Sequence, residues 1–256
     1  MASTLVTTVR NLHQRKGRRR RGLTLAEGLR VVEEAIASGV EIRGVLAAAS
    51  FGTAPRAAAL LTALADRAIP IEELPDRAFA GLADTGHPQG VLAVIEVPTW
   101  TLADVVPAVR APVLVLDAVQ DPGNVGTLVR TGFALGAAGA VLLRGCAEPT
   151  NPKTVRAAMG ASFRLPIATA DHAAFARWCQ RERVELWTAA AEGTPLGRAA
   201  VPERLALVVG NEGAGVSAEL RALAVRQVAI PLARGAESLN VAVAAGILLY
   251  EVARAT

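Results

Sequence analysis

The stretch VLVLDAVQDPGNVGTLVRTGFALG, Val113–Gly136, decides the fold of this chain. Val113–Val119 is an apolar run rich in β-branched residues, which reads as a buried strand. The loop after it holds Pro122 and Gly123, and a helix over Val125–Leu135 ends at Gly136, a residue suited to a left-handed helix stop. A strand passing through a short loop into a helix is the repeating half of a parallel sheet covered on both faces. The pattern recurs downstream: Ala140–Leu143 reads as the next strand, and Asp171 as the N-cap of a helix through Arg183. Val184–Ala189, Leu205–Val209 and Gln227–Ile230 read as further strands, and Asn240–Arg254 as a final apolar helix.

Upstream, EVPTWTLADVVPAVRAP (Glu96–Pro112) carries three prolines with weak periodicity and marks a boundary. Before it, strands at Leu23–Ala26, Val45–Ala48, Ile69–Glu73 and Gln89–Val97 alternate with helices over Glu27–Ser38 and Pro55–Ala68, giving a smaller α/β unit. Leu5, Val9 and Leu12 lie at helical spacing, and RKGRRRRG, Arg15–Gly22, reads as an exposed, mobile connector. The expected organisation is a basic arm over 1–22, a small domain over 23–97, a linker over 98–111 and a larger α/β domain over 112–256.

With 256 residues, 52% of them hydrophobic and 20% charged, the chain is long and apolar enough for a packed core, and disorder is excluded. Cys146 and Cys179 form no CxxC pair and His13, His87 and His172 are scattered, so neither a disulfide framework nor a metal site is expected. That usage fits a reducing cytoplasm. VAVAAGILLY, Val241–Tyr250, is half the length a bilayer needs, and no membrane partner is expected.

Charge is distributed unevenly. Arg10, Arg15, Lys16, Arg18, Arg19, Arg20 and Arg21 fall in residues 1–22 without one Asp or Glu, and the rest of the chain carries 20 basic against 23 acidic residues. A cationic arm on a near-neutral body suits a phosphate backbone. Nine aromatic residues in the whole chain are too few for an extended base-stacking platform, so RNA shape and phosphates would dominate such a contact.

Three loops at strand ends are loaded with small polar residues: Asp117–Gly132, Gly210–Ser217 (GNEGAGVS) and Ile230–Asn240 (IPLARGAESLN). Ligands in open parallel sheets sit beyond the carboxyl ends of the strands. Glycine permits close backbone approach there, and Asn124, Asn211, Ser238 and Asn240 add donors and acceptors. Taken singly, each has a structural use, since Asn and Ser cap helices and Gly makes turns. No GxGxxG follows a strand and no GxxxxGK[ST] is present, which disfavours a dehydrogenase or NTPase.

QDPGNVGTLVRT, VVGNEGAGVS and IPLARGAESLNVAVAAGILLYE, in this order and spacing, resemble the three motifs of the SpoU/TrmH family of RNA ribose methyltransferases. QRKGRRRRGLTLAEGLRVVEEAIASG and HPQGVLAVIE resemble that family's substrate-binding domain, so the resemblance covers nearly the whole chain. It implies an α/β SPOUT domain with a mostly parallel sheet and a deep trefoil knot, behind a small ribosomal-protein-like α/β domain. It implies a homodimer that uses S-adenosylmethionine to methylate a ribose 2′-hydroxyl in RNA. Ribosomal RNA, most of all 23S, is preferred over tRNA. A non-catalytic RNA-binding or ribosome-assembly protein of the same fold and a base methyltransferase are the rivals.

Carried over by motif, the resemblance assigns catalytic roles to Asn124, Arg130, Glu212, Ser238 and Asn240. It places the cofactor against Leu207, Val208, Val209, Gly210, Asn211, Gly213, Ile230, Leu232, Ser238 and Leu239. The family role proposed for the residue matching Arg130 is general base, which sits uneasily with a guanidinium pKa above about 12. Arg130 either loses its proton when an RNA phosphate docks or stays cationic and stabilises the forming alkoxide. A structural ion pair between Arg130 and Glu212 is the plainer use. Lys153 and Arg156, in NPKTVRAAMG, are added to the arm's cations as expected RNA contacts, whereas His87 in HPQG reads as part of a turn.

Overall fold

The computed structural model describes residues 3–109, 111–196, 200–234 and 236–254. Residue 110 of the expected linker and the outermost ends of the expected arm and second domain lie outside them. In chain order the elements begin α1 Thr4–Leu12, α2 Arg15–Arg21, β1 Leu23–Glu27, α3 Leu29–Ser38, β2 Ile42–Ala48 and α4 Pro55–Ala65. There follow β3 Ile71–Leu74, α5 Asp76–Ala80, β4 Val91–Glu96, β5 Val113–Leu116, α6 Pro122–Ala134, β6 Gly139–Leu143, α7 Pro152–Ala158 and β7 Ile167–Ala170. The chain closes with α8 His172–Glu182, β8 Glu185–Pro195, β9 Leu205–Val209, α9 Ala218–Leu223, β10 Arg226–Ala229 and α10 Val241–Arg254.

Two compact units result, one holding the residues up to Pro98 together with Thr150–Phe163, the other Thr99–Pro149 and the residues from Arg164 onward. In the first, a four-stranded sheet of order β1-β4-β2-β3 is antiparallel except for the β2–β3 pair. Helix α3 packs on it through Val31, Val32 and Ala35, and stops at Gly39, whose φ of 75° is the left-handed C-cap its position predicted.

Three expectations are corrected here. The described part of the expected arm, residues 3–22, is no separate arm, because Val9 and Leu12 of α1 are fully buried in the first unit's core. Arg15–Arg21 is no mobile connector but helix α2, closed by Gly22 at φ 64°. Thr150–Phe163 also belongs to this unit, with Val155 and Phe163 in the same core, although the sequence boundary assigned it to the larger domain.

The second unit is a six-stranded, wholly parallel sheet of order β10-β8-β9-β5-β6-β7. Strands β5, β6 and β9 are buried along their whole length, as strands covered on both faces must be. Val115, Val141 and Val208 meet Phe175 and Trp178 of α8 in one core. On the opposite side, α10 packs along α6. The carboxyl ends of the neighbouring strands β5 and β9, and of β10, therefore release the three loops into one region of this unit.

Candidate active site

Asp117, directly after β5, ties the first two loops together. Its carboxylate is 2% exposed; Oδ2 accepts from the Ser217 backbone N–H at 2.7 Å, and its own N–H donates to the Val209 carbonyl at 2.9 Å. A carboxylate only accepts, so His172, at the start of α8, donates its Nε2–H to Asp117 Oδ1 at 3.1 Å. Sequence reasoning passed over both residues, because a single Asp at a strand end and a lone His carry no spacing signal.

The second loop is a curl closed on itself. Asn211 and Gly215 exchange backbone hydrogen bonds at 3.1 and 2.9 Å. Asn211 Oδ1 accepts from the N–H groups of Gly213 and Ala214 at 2.9 and 3.0 Å, while its Nδ2 donates to the Ala118 carbonyl at 3.0 Å. A Cβ at Gly210 would stand 2.2 Å from the Gly215 carbonyl carbon, so the curl requires glycine there. Asn211 and Gly213 thus build the loop, and the loop presents Glu212 to solvent.

There Glu212 meets the other two loops. Asp121 caps α6 by accepting the Asn124 N–H at 2.9 Å, which fixes where Asn124 starts. Asn124 Nδ2 donates to Glu212 Oε1 at 2.7 Å, and Asn124 Oδ1 accepts from Asn240 Nδ2 at 3.2 Å. Asn240 Oδ1 then accepts from the N–H groups of Ala242 and Val243 at 2.9 and 3.4 Å, at the first turn of α10. The polarity of this chain is forced from both ends: a carboxylate must accept and helix N–H groups must donate, so each amide has one permitted orientation. Asn240 thus caps α10 and bonds to Asn124 at the same time.

Arg130, later on α6, is exposed and has no hydrogen bond or ion pair among the described residues. The ion pair with Glu212 is absent there, and Glu212 bonds to Asn124 instead. Ser238 is exposed in the third loop.

Beside this chain lies a cleft of about 200 Å³. Val209, Gly210, Asn211, Ile230, Leu232, Ser238 and Leu239, all expected at the cofactor, line it. Leu207 and Val208 do not: both are fully buried inside β9, so the strand interior holds the sheet and only its end reaches the cleft. Gly213 is turned into the Asn211 curl. Ala189, Ala190 and Ala191 of β8, with Ala244 and Leu248 of α10, complete the apolar walls, and alanines give sequence reasoning nothing to find. Among the described residues no Lys or Arg lines it, while two carboxylates, Glu212 and Glu237, do. A small-residue, weakly anionic cleft bounded by backbone suits a ligand with an apolar aromatic part and a positive charge, and S-adenosylmethionine is such a group.

The expected RNA contacts fall in the first unit and divide in two. Arg15, Lys16, Arg19 and Arg20 line one hollow on α2, and Arg10 and Lys153 are exposed. Arg21 Nη1 lies 3.5 Å from Thr8 Oγ1. Arg18 is used internally, 5% exposed with Nη1 on the carbonyl oxygens of Leu12 and His13. Arg156 also turns inward, to Glu27 at 3.2 Å and Asp84 at 3.4 Å. His87 lies exposed in a loop ahead of β4.

Comparison with known proteins agrees with both halves of the chain. The SpoU rRNA Methylase family profile matches residues 111–250, and that of the MRM3-like substrate binding domain matches residues 4–93. The chain is 36% identical over 244 residues to the 23S rRNA (guanosine(2553)-2′-O)-methyltransferase RlmP of Bacillus subtilis, covering 95% of this chain and 93% of that one. It is 35% identical over 236 residues to the 23S rRNA (adenosine(1067)-2′-O)-methyltransferase of Streptomyces laurentii, covering 90% and 85%. The AdoMet-bound rRNA methyltransferase of Sinorhizobium meliloti superposes with a TM-score of 0.86 at 31% identity, over 98% of this chain and 95% of that one. With one family profile spanning more than half of the sequence and relatives aligned along almost all of it, this chain belongs to the SpoU rRNA methylase family.

Proposed function

We propose that this protein methylates a ribose 2′-hydroxyl of 23S ribosomal RNA with S-adenosylmethionine. The observation that carries the reading is the Glu212–Asn124–Asn240 chain, which joins all three loops beside a cleft that no basic side chain lines among the described residues. Relatives named for 2′-O-methylation of 23S rRNA along most of this chain support it.

S-adenosylmethionine, when bound, supplies a methyl group on a positively charged sulfur. The carbonyl end of β9 and residues Ile230, Leu232 and Leu239 hold it, with Glu212 and Glu237 supplying the negative field. The protein's task is to place a ribose oxygen and favour its ionised form. Orientation alone is worth roughly 7–11 kcal/mol in favourable intramolecular cases. Asn124, immobilised at both ends of its amide, and Ser238 orient the ribose. Arg130 stabilises negative charge on the 2′-oxygen, while the proton leaves to water; a guanidinium without a partner among the described residues suits this role better than that of a base.

The second copy of the homodimer seats on the outer face of α10. Val243, Ile247 and Tyr250, spaced by four and three residues, leave an apolar stripe there, 51%, 38% and 52% exposed. The trefoil knot is formed by the chain around β8 and β10, where a Cβ at Gly193 would lie 2.9 Å from the Gln227 carbonyl oxygen. The reaction takes place in the cytoplasm, where ribosomal RNA is handled.

Incubation with methyl-labelled S-adenosylmethionine and unmodified ribosomal or transfer RNA, followed by alkaline digestion, tests the chemistry. Alkaline cleavage needs the 2′-hydroxyl, so a 2′-O-methylated linkage survives as a labelled dinucleotide. Such dinucleotides from 23S rRNA are the expected result. Label in mononucleotides means base methylation and overturns the reading, and label from tRNA alone moves the substrate.

A further inference from the structure

Gly17 and Arg18 lie where the two N-terminal helices meet. A Cβ at Gly17 would stand 1.9 Å from the Asn11 carbonyl oxygen and 2.7 Å from its carbon, so α2 approaches the end of α1 at a distance only glycine permits. Next to it, Arg18 Nη1 donates to the carbonyl oxygens of Leu12 at 3.1 Å and His13 at 3.0 Å. Carbonyls at the end of a helix lack intrahelical partners and carry partial negative charge, so a buried guanidinium is well matched to them. α1 is itself anchored by Val9 and Leu12, both fully buried.

Nothing local explains α2 as a helix. RKGRRRR has a glycine in its middle and like charges on successive turns, both unfavourable. The crossing with α1 holds it. Arg15, Lys16, Arg19 and Arg20 then share one hollow on its outer side, in two pairs one turn apart.

We propose that the α1–α2 corner is a preformed clamp for the phosphate backbone of a folded RNA. Arg15, Lys16, Arg19 and Arg20 make the contacts, and Gly17 and Arg18 act as positioning residues. This rests on the reading of RNA as substrate and deepens it. A mobile arm of the same charge loses chain entropy when it binds; a clamp fixed by folding has lost it beforehand, so the same cations bind more tightly and in one register. Arg18 is excluded from the phosphate contacts and required for their geometry.

The test is affinity of the full chain for 23S rRNA as a function of KCl concentration, together with KM for RNA, kcat, cofactor affinity and thermal melting. Replacing Arg19 and Arg20 together by Ala removes two contacts and makes the salt slope shallower by about 1.5, at 0.7–0.9 per phosphate. Gly17→Ala changes no charge, yet is expected to weaken RNA binding at least tenfold and flatten the slope, with kcat at saturating RNA and cofactor affinity unchanged. Arg18→Gln removes the staple without a clash and serves where Gly17→Ala lowers the melting temperature; Arg18→Lys, which keeps a donor for the same carbonyls, is expected to bind between Arg18→Gln and the native chain. Native affinity and slope in Gly17→Ala, or equal binding by Arg18→Gln, Arg18→Lys and the native chain, overturns the clamp in favour of a mobile tether. An unchanged slope in the Arg19/Arg20 double variant overturns the corner as an RNA surface altogether. In either case alkali-stable label from native protein leaves the substrate reading standing, and loss of that label alone removes it.

Discussion

Arg156 and Arg130 each stand on a short helix that follows a loop, one in each unit, and their surroundings are opposite. Arg156 reaches Glu27, a carboxylate only 3% exposed, and Asp84 beside it; Glu27 also accepts the Asp84 N–H at 3.0 Å and the Thr85 hydroxyl. Arg130 lies exposed on α6 without ion pair or hydrogen bond among the described residues, and Glu212 is bonded to Asn124. A guanidinium committed to a buried carboxylate belongs to the fold, since its removal strands a charge away from water. One left open is available to a ligand, the role proposed above for Arg130. The sequence marks Arg130 by its motif and Arg156 by its charge, and the pairing separates them.

The contrast is sharpest in turnover. Arg130→Ala is expected to lower kcat about 100-fold or more, the range seen on losing one stabiliser of a developing oxyanion. Cofactor affinity by calorimetry is expected to stay within twofold, and Arg130→Lys, which keeps the charge, to recover part of the rate. Native turnover in Arg130→Ala would erase the distinction. Arg156→Ala should do the reverse: about 2 kcal/mol lost in urea unfolding of the first unit, for a partly exposed partner of a buried charge, with an unchanged salt slope for RNA binding. A shallower slope with native stability would return Arg156 to the phosphate contacts.

Asn240 divides between the two kinds of residue. Asn240→Ala is expected to cost about 1 kcal/mol of stability through the lost cap and to lower kcat as well. Asn240→Ser keeps a capping oxygen but cannot reach Asn124 in the same way, so stability should return while kcat stays low. Recovery of both would reduce Asn240 to a cap.

The smallest effect concerns the thiols. Burial pushes Cys146 up to about 11 and Cys179 up to about 12, from an ordinary 9.0. Both are protonated at neutral pH, so thiol reagents at pH 8 should label the folded chain slowly and the urea-unfolded chain quickly. The shifts are upward, so the thiols favour the folded state below about pH 9, and that contribution is lost as pH rises toward 11 and 12. Fast labelling of the folded chain would refute the burial.

Apolar runs such as Val113–Leu116 and Leu205–Val209, with glycine-marked helix ends such as Gly39, were legible because local chemistry alone determines them. The three site loops were legible for the same reason. Helix α2 was not, since its sequence is helix-averse and the contacts that impose the helix come from α1. The Arg156–Glu27 pair joins residues 129 apart in sequence, a separation that carries no local signal. Asp117 was hidden by being single, and the cleft walls at Ala189–Ala191 by being alanine.

Asn240 also belongs to two structures at once, its oxygen beginning α10 and its nitrogen closing the chain to Glu212. Whatever displaces the first turn of α10 displaces the bond that orients Asn124. Coupling of this kind is reciprocal: it has the same free energy in both directions. If a second subunit seats on the far face of α10, as proposed above, assembly and cofactor binding form one thermodynamic cycle. The factor by which cofactor tightens the dimer must equal the factor by which dimerisation tightens the cofactor.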